Sequence, residues 1–147
     1  MTACTEVSQF LEKDQTESIV NNPETFLGTN VTLVGRLEPS ADLKLYNLGI
    51  NYKIKDKNGF ALYLKPEVKN EIGSALPYVV NGKVENVYIC DCEYKTEYST
   101  GYISINGNRP KVEDCEKNEE RGFTYRCRPG SNQTLYYVTA YSMRVSS

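Results

Sequence analysis

Four residues of one short segment have the types and the spacing that ligand binding requires: Lys53, Lys55, Tyr63 and Lys65. They alternate with apolar residues, and successive side chains of a β-strand point to opposite faces of a sheet. The positions predicted to face a core are Ile54, Leu62 and Leu64. The cationic and aromatic set, joined by Arg36 from an earlier strand, is predicted to form one outward face. Such a face can neutralise a phosphate backbone while a base stacks on the tyrosine, or it can simply keep a sheet soluble.

A short turn must position these residues. The two alternating runs meet at Asp56-Lys57-Asn58-Gly59. The Asp side chain can accept hydrogen bonds from the turn backbone, and the Gly can adopt the positive φ that a short hairpin loop needs. Residues 52–64 are therefore predicted to form an antiparallel β-hairpin.

The cysteines are the second set of residues with a chemical role. Cys4 stands alone near the start, whereas Cys90, Cys92, Cys115 and Cys127 cluster in the second half of the chain. If Cys90 and Cys92 share a strand, their Cα atoms are roughly 6.5 Å apart, near the upper limit for a disulfide. Each is therefore predicted to pair with Cys115 or Cys127, which leaves two connectivities.

A zinc site is the alternative for the same four cysteines. Two thiolates on one face of a strand could bind Zn²⁺, with Cys115 and Cys127 completing a tetrahedron. Structural zinc sites usually contain two Cys-x2-4-Cys pairs, whereas eleven residues separate Cys115 from Cys127. The spacing favours disulfides, and no metal is predicted.

Three short motifs bear on the compartment. Asn30-Val31-Thr32 and Asn132-Gln133-Thr134 are glycosylation-type sequons, although such triplets arise easily by chance. Thr2-Ala3-Cys4 resembles the end of a lipoprotein signal, which would make Cys4 a lipid-attachment site, and a free cysteine in a disordered terminus is the alternative. With the cysteine cluster, these motifs predict a secreted or lipid-anchored extracytoplasmic protein.

Composition excludes several classes of function. The chain has no histidine, so imidazole bases, Ser-His-Asp triads, Cys-His pairs and His-ligated metals are excluded. Carboxylates such as Asp91, Glu93 and Glu113 have no spacing that forces them together. The protein is predicted not to be an enzyme and to need no cofactor. Its net charge of −2 argues against a protein dominated by phosphate-backbone binding. No apolar run reaches the roughly 20 residues of a membrane helix.

The order of predicted elements indicates one all-β domain with short helices. Residues 1–17 are predicted to be a flexible or helical leader, and residues 18–147 a five-stranded domain with an inserted segment at about 93–134. Asn22 is predicted to cap a one-turn helix that Gly28 ends. Gly35 and Gly82 lie where curved strands are predicted to bend or bulge. Within the inserted segment, residues 102–105 and 123–127 are predicted to be an accessory pair of short strands.

Five stretches resemble small OB-fold proteins of the tRNA-anticodon-binding-like group. They are Asn22–Gly28, Val31–Leu37, Tyr52–Gly59, Val80–Val84 and Tyr136–Ala140. The resemblance covers roughly residues 18–92 and 135–146. It implies an OB-fold-like Greek-key barrel with a binding face on its second and third strands, used for oligonucleotides, oligosaccharides or protein partners.

The combined expectation is a non-catalytic OB-fold binding module outside the cytoplasm. Its predicted ligand is a protein or an oligosaccharide, bound by Arg36, Lys53, Lys55, Tyr63 and Lys65. A single-stranded nucleic-acid-binding OB-fold protein is the alternative, because the same face could hold a phosphate backbone.

Overall fold

The computed structural model describes residues 13–40, 49–67, 76–102, 111–117 and 123–146. The chain divides into two compact units, which we call the barrel unit (Met1–Ser40, Ile50–Glu85 and Tyr136–Ser147) and the cysteine unit (Ala41–Gly49 and Asn86–Leu135). Cys4 and most of the predicted leader lie outside the described residues. Within the described residues, no helix is long and apolar enough to span a membrane.

Strands dominate the described chain, as predicted. In chain order the elements are α1 (Thr16–Asn21), α2 (Pro23–Phe26), β1 (Asn30–Pro39), β2 (Tyr52–Lys55), β3 (Ala61–Pro66), β4 (Pro77–Ile89), β5 (Cys92–Lys95), β6 (Thr100–Tyr102), α3 (Val112–Lys117), β7 (Thr124–Cys127) and β8 (Gln133–Val145). The predicted all-β class with short helices is confirmed.

Five of these strands close into a barrel in the order β1-β2-β3-β8-β4. Strand β1 is long enough to pair with two neighbours, with β4 along Asn30–Arg36 and with β2 along Arg36–Pro39, both antiparallel. Strand β8 runs parallel to β3. This is the strand order of an OB-fold-like barrel, so the predicted five-stranded architecture is confirmed.

The barrel is filled by side chains that alternate along its strands. The buried cluster consists of Ile19, Val31, Leu33, Leu37, Ile54, Leu62, Leu64, Tyr78, Val80, Val84, Val138, Ala140 and Met143. Ile54 lies opposite Leu62 in the hairpin register, and both are buried together with Leu64. The predicted orientation of the hairpin, with its apolar side chains inward, is therefore confirmed.

Gly35 lies where two backbones approach each other closely. A Cβ atom at this position would lie 1.9 Å from the carbonyl oxygen of Lys55. Gly82 is similar, since a Cβ there would lie 2.5 Å from the carbonyl oxygen of Thr139. Both positions need glycine because a neighbouring strand occupies the space that a side chain would fill.

The segment before β1 belongs to the barrel unit. The Gln15 side chain accepts a hydrogen bond from the Thr32 amide at 2.9 Å, and the Gln15 amide donates to the Thr32 carbonyl at 2.9 Å. In α1, Thr16 and Ile19 are completely buried.

The predicted Asn22 cap at the start of α2 is wrong, because the Asn22 side chain makes no capping hydrogen bond. Only the Asn22 carbonyl accepts one, from the Thr25 amide at 3.2 Å. Gly28, at φ 79°, follows α2 in the left-handed conformation typical of a helix end.

The cysteine unit contains a three-stranded antiparallel sheet in the order β6-β5-β7. The sequence predicts residues 102–105 and 123–127 as an accessory pair of strands and predicts no strand at the position of β5. In the structure β4 ends at Ile89 and β5 begins at Cys92 and lies between β6 and β7. Residues 103–105 of the predicted strand lie outside the described residues.

Candidate binding surface of the barrel

The turn between β2 and β3 has the predicted geometry. The Asp56 carboxylate accepts hydrogen bonds from the amides of Asn58 at 2.9 Å and Phe60 at 3.0 Å. Gly59 has φ 86°, in the left-handed region that glycine enters without strain. The turn therefore holds β2 and β3 in one register, which determines which side chains lie next to each other on the outer face.

Lys53 and Tyr63 form the first contact on this face. They are directly opposite each other in the β2–β3 register, and the Lys53 Nζ atom lies 5.2 Å from the centre of the Tyr63 ring. This is cation–π geometry, in which the ring quadrupole attracts the ammonium group. The lysine and the tyrosine therefore act as a unit, and a ligand that stacks on this face of the ring must share it with the ammonium group or displace it.

Glutamates accompany two of the other cations. Lys55 Nζ lies 2.9 Å from the Glu38 carboxylate, and Lys65 Nζ lies 3.7 Å from the Glu67 carboxylate. All four side chains are about one-third to one-half exposed, and exposed pairs of this kind contribute only about 0–1 kcal/mol to stability. The pairs still matter for binding, because each carboxylate offsets the positive charge beside it.

Arg36 lies at the edge of the same face, beside a groove of about 610 Å³. Its Cα position pairs with that of Lys55, and both residues line the groove together with Lys57. Among the described residues, no carboxylate forms an ion pair with Arg36. Carboxylates are nevertheless present in the groove walls, where Asp14, Glu38 and Asp56 also contribute.

The structure therefore separates the five predicted binding residues into three groups on one face. Arg36 and Lys55 share the groove, Lys53 and Tyr63 contact each other, and Lys65 is accompanied by Glu67. The spacing of the hairpin predicted the shared face. It did not predict the neighbouring glutamates, because they come from the end of β1 and from just beyond β3.

Tyr137 on β8 lies next to Tyr63 of this face and is not among the residues predicted from the sequence. It is the register partner of Tyr63 and is mostly buried. Burial raises the pKa of the Tyr137 hydroxyl, and the adjacent Glu85 carboxylate, which is hydrogen-bonded to it, raises it further. Glu85 also accepts a hydrogen bond from the Thr139 hydroxyl. Alternation along β8 could have found Tyr137 and Thr139, since Val138 and Ala140 between and after them are completely buried.

The cysteine unit contains the predicted disulfides. Cys90 is bonded to Cys127 and Cys92 to Cys115, with Cα–Cα distances of 5.5 and 5.6 Å. This is one of the two predicted connectivities. The Sγ atoms of Cys90, Cys115 and Cys127 lie within 4.8 Å of one another, but as members of disulfides they are not the thiolates that a zinc site requires.

Two ion pairs accompany these disulfides. Arg126 Nε donates to the buried Glu93 carboxylate at 2.6 Å, and Arg128 donates to Asp91 at 2.8 Å. Asp91 and Glu93 are therefore each held by an arginine from the segment around the end of β7.

Comparisons of the chain with protein-family models, with curated proteins and with solved structures found no match. The inference of function therefore depends on the residues of this chain alone.

Proposed function

We propose that the protein is a non-catalytic OB-fold binding module of the extracytoplasmic space, related to the tRNA-anticodon-binding-like group in fold. Its ligand is a protein or an oligosaccharide, bound on the barrel face of Arg36, Lys53, Lys55, Tyr63 and Lys65. The observation that carries this proposal is the charge balance of the face. Glu38 and Glu67 accompany two of its cations and Lys53 contacts the tyrosine ring, so the face offers an aromatic surface and hydrogen-bonding groups rather than a strong positive field.

The two disulfides support the extracytoplasmic part of the proposal. Such bonds are typical of proteins in oxidising compartments and are rare in the cytosol. The test is the intact mass of the protein isolated from its source, measured with and without reductant. Two disulfides make the native chain lighter than the reduced chain by four hydrogens. Four free thiols, with or without a bound zinc ion, would contradict the proposed compartment.

We also propose that a lipid attached at Cys4 anchors the protein to the membrane, and this can be tested separately. The N-terminal peptide of the protein from its source should begin at Cys4 and carry a lipid bonded covalently to the Cys4 sulfur. A Cys4→Ser variant should then be released from the membrane fraction. A soluble protein with an unmodified Cys4 would leave secretion as the extracytoplasmic route.

Photo-crosslinking can identify the ligand of the barrel face. A photoreactive phenylalanine analogue placed at Tyr63 should capture a partner from extracytoplasmic extract. The matched control places the same analogue at Tyr98, which is 90% exposed in the cysteine unit. Capture at Tyr63 but not at Tyr98 supports the barrel face, whereas equal capture at both positions contradicts it.

Single-stranded nucleic acid is the second candidate ligand, because Arg36, Lys55 and Lys57 share one groove. Fluorescence anisotropy with labelled single strands at low and high salt tests it. Phosphate binding would weaken steeply with salt, and Arg36→Ala would reduce that salt dependence by about one counterion. Lys95→Ala, which alters an exposed lysine of the cysteine unit, is the control. Absence of salt-sensitive binding would eliminate this candidate.

A further inference from the structure

The cysteine unit contains a second groove, which the proposed function does not use. Its volume is about 540 Å³, within the range of about 300–1,000 Å³ typical of small-molecule sites. Three described segments form its walls: the end of β4, the start of α3 with the residue before it, and the start of β8 with the residue before it. All three belong to the cysteine unit.

Tyr88 is the aromatic residue of this groove. It is 61% exposed, although the next residue, Ile89, is completely buried, because successive side chains of a strand point to opposite faces. An exposed tyrosine provides a rigid ring that is apolar on its face and polar at its hydroxyl. Sugar rings have the complementary character, with an apolar C–H face and hydroxyl groups at the edge.

The polar residues of the groove are suited to hydroxyl groups. Asn86 and Asn132 line it, and each side-chain amide provides both a donor and an acceptor. Glu113 and Glu116, on α3, add exposed carboxylate acceptors. Lys111 also lines the groove. Among the described lining residues, two carboxylates therefore stand against one ammonium group, and this balance disfavours an anionic ligand such as a phosphate.

Covalent and backbone links hold the walls in place. Lys111 forms a β-bridge with Ile89, which places the start of α3 beside the end of β4. The Cys92–Cys115 disulfide attaches α3 to β5. A six-residue helix is not stable by itself in water, so these links position Glu113 and Glu116. A groove held in this way loses little conformational entropy when a ligand binds.

We propose that this groove is a binding site for a neutral oligosaccharide. One sugar ring stacks on Tyr88, while the amide groups donate and accept hydrogen bonds and the carboxylates accept them from hydroxyl groups at its edge. The site is distinct from the barrel face and involves no ionised ligand group. Its affinity should therefore depend little on salt.

The test is NMR titration of the full chain, made in bacteria in an oxidising compartment so that Asn132 is unmodified. The probes are soluble neutral hexasaccharides of β-1,4-linked glucose, xylose, mannose and N-acetylglucosamine. At least one should shift the amide signals of residues 86–88, 111–116 and 132–134. Its affinity should be unchanged between low and high sodium chloride. If none of the four shifts these signals, or if affinity falls steeply with salt, the proposal is wrong.

Matched variants separate stacking from a general effect on folding. Tyr88→Ala should weaken binding by about tenfold, as expected for losing the contact area of one ring face, whereas Tyr88→Phe should retain most of the affinity. Tyr98→Ala removes another highly exposed tyrosine of the same unit and should have no effect. Equal losses in Tyr88→Ala and Tyr98→Ala would overturn the proposal. A Tyr63→Ala variant should bind normally, so failure of this site is distinguishable from failure of the barrel face.

Discussion

The barrel unit and the cysteine unit are stabilised by different interactions. Among the described residues, thirteen buried side chains form the hydrophobic cluster of the barrel. The described cluster of the cysteine unit consists of three buried cysteines with Val112, Tyr125 and Cys127 packed against them. Two disulfides and two ion pairs link its short strands and its helix. A small sheet cannot bury enough apolar surface to be stable alone, and covalent links compensate by restricting its unfolded state.

Aromatic contacts show the same difference. In the cysteine unit the rings of Tyr94 and Phe123 meet edge to face, with centroids 5.4 Å apart, and Tyr125 lies 6.4 Å from each of them. Phe123 is still 38% exposed, so this cluster covers one face of the sheet without forming a closed core. In the barrel, by contrast, Ile54, Leu64 and Val138 are completely buried. Changes that remove one kind of interaction should therefore affect one unit far more than the other.

Removal of both disulfides should have the largest effect. A quadruple serine variant of Cys90, Cys92, Cys115 and Cys127 should unfold the cysteine unit. Each disulfide stabilises the folded state by about 3–4 kcal/mol, because it lowers the conformational entropy of the unfolded chain. Hydrogen exchange should show loss of protection in β5–β7 with protection retained in β1 and β3. Cys4→Ser is the control and should leave both regions protected. Simultaneous loss of protection in the barrel strands would contradict the separation of the two units.

Truncation of the barrel core should have the next largest effect. Leu33 is completely buried in β1, and Leu33→Ala should lower the free energy of unfolding by about 3 kcal/mol through lost burial and a cavity. Urea denaturation measures the change. Leu76→Ala removes the same group from a side chain that is 49% exposed and should cost much less. Similar losses in the two variants would mean that the barrel does not depend on this core.

Two Gly→Ala substitutions compare how much a new Cβ atom costs in stability in each unit. Gly35→Ala in the barrel should cost about 2–3 kcal/mol, because the new Cβ would overlap the Lys55 carbonyl and a strand must move. Gly130→Ala in the cysteine unit meets open space but has φ 81°, so it should cost only about 1 kcal/mol of left-handed backbone strain. Thermal unfolding should rank them in this order, and the reverse ranking would contradict the close approach at Gly35.

Substitutions in the ion pairs should change the free energy of unfolding by smaller amounts, and by more in the cysteine unit than in the barrel unit. Glu93 is 6% exposed and bonded to Arg126 at 2.6 Å, whereas Glu38 is 51% exposed and paired with Lys55 at 2.9 Å. Glu93→Gln should therefore destabilise the cysteine unit by about 1–2 kcal/mol, and Glu38→Gln should change the barrel by less than about 0.5 kcal/mol. Denaturation followed by hydrogen exchange in each unit measures both values. An effect of Glu38→Gln as large as that of Glu93→Gln would show that exposure does not distinguish these pairs.

Alkaline pH should have the smallest and most specific effect, and it acts on the barrel. Burial and Glu85 raise the pKa of Tyr137 above its ordinary value of 10.0. Above pH 10 the unfolded chain releases this proton while the folded chain retains it. Stability from Tyr137 is therefore fully present below pH 10 and is lost as pH rises through the folded pKa. Tyr137→Phe should show a weaker decline above pH 10, measured by denaturation at several pH values, with Tyr141→Phe as the control. Identical declines in wild type and Tyr137→Phe would exclude this contribution.

The barrel could be predicted largely from local sequence patterns. The alternation around Ile54 and Leu62 gave the hairpin orientation, and the Asp56 and Gly59 turn chemistry gave its register. The cysteine unit was predicted less well. Strand β5 was not predicted, because its four residues, Cys92–Lys95, lie at the start of the charged inserted segment and are too few to show a clear period. The break after Ile89 depends instead on contacts with distant residues, such as the Asp91 amide donating to the Ser131 hydroxyl at 3.1 Å.

The sequence by itself determined the strands of the barrel and the outward cationic face of the hairpin, and it favoured two disulfides over a zinc site, because strand periodicity, turn chemistry and cysteine spacing are local properties. Only the tertiary structure decided which cysteines pair, that Glu38 and Glu67 accompany the lysines, and that Tyr137 is buried beside Glu85. It also decided that Tyr88 and two glutamates of α3 line one groove. Each of these depends on the register between segments far apart in the chain, and a shift of one residue in such a register would change every neighbour.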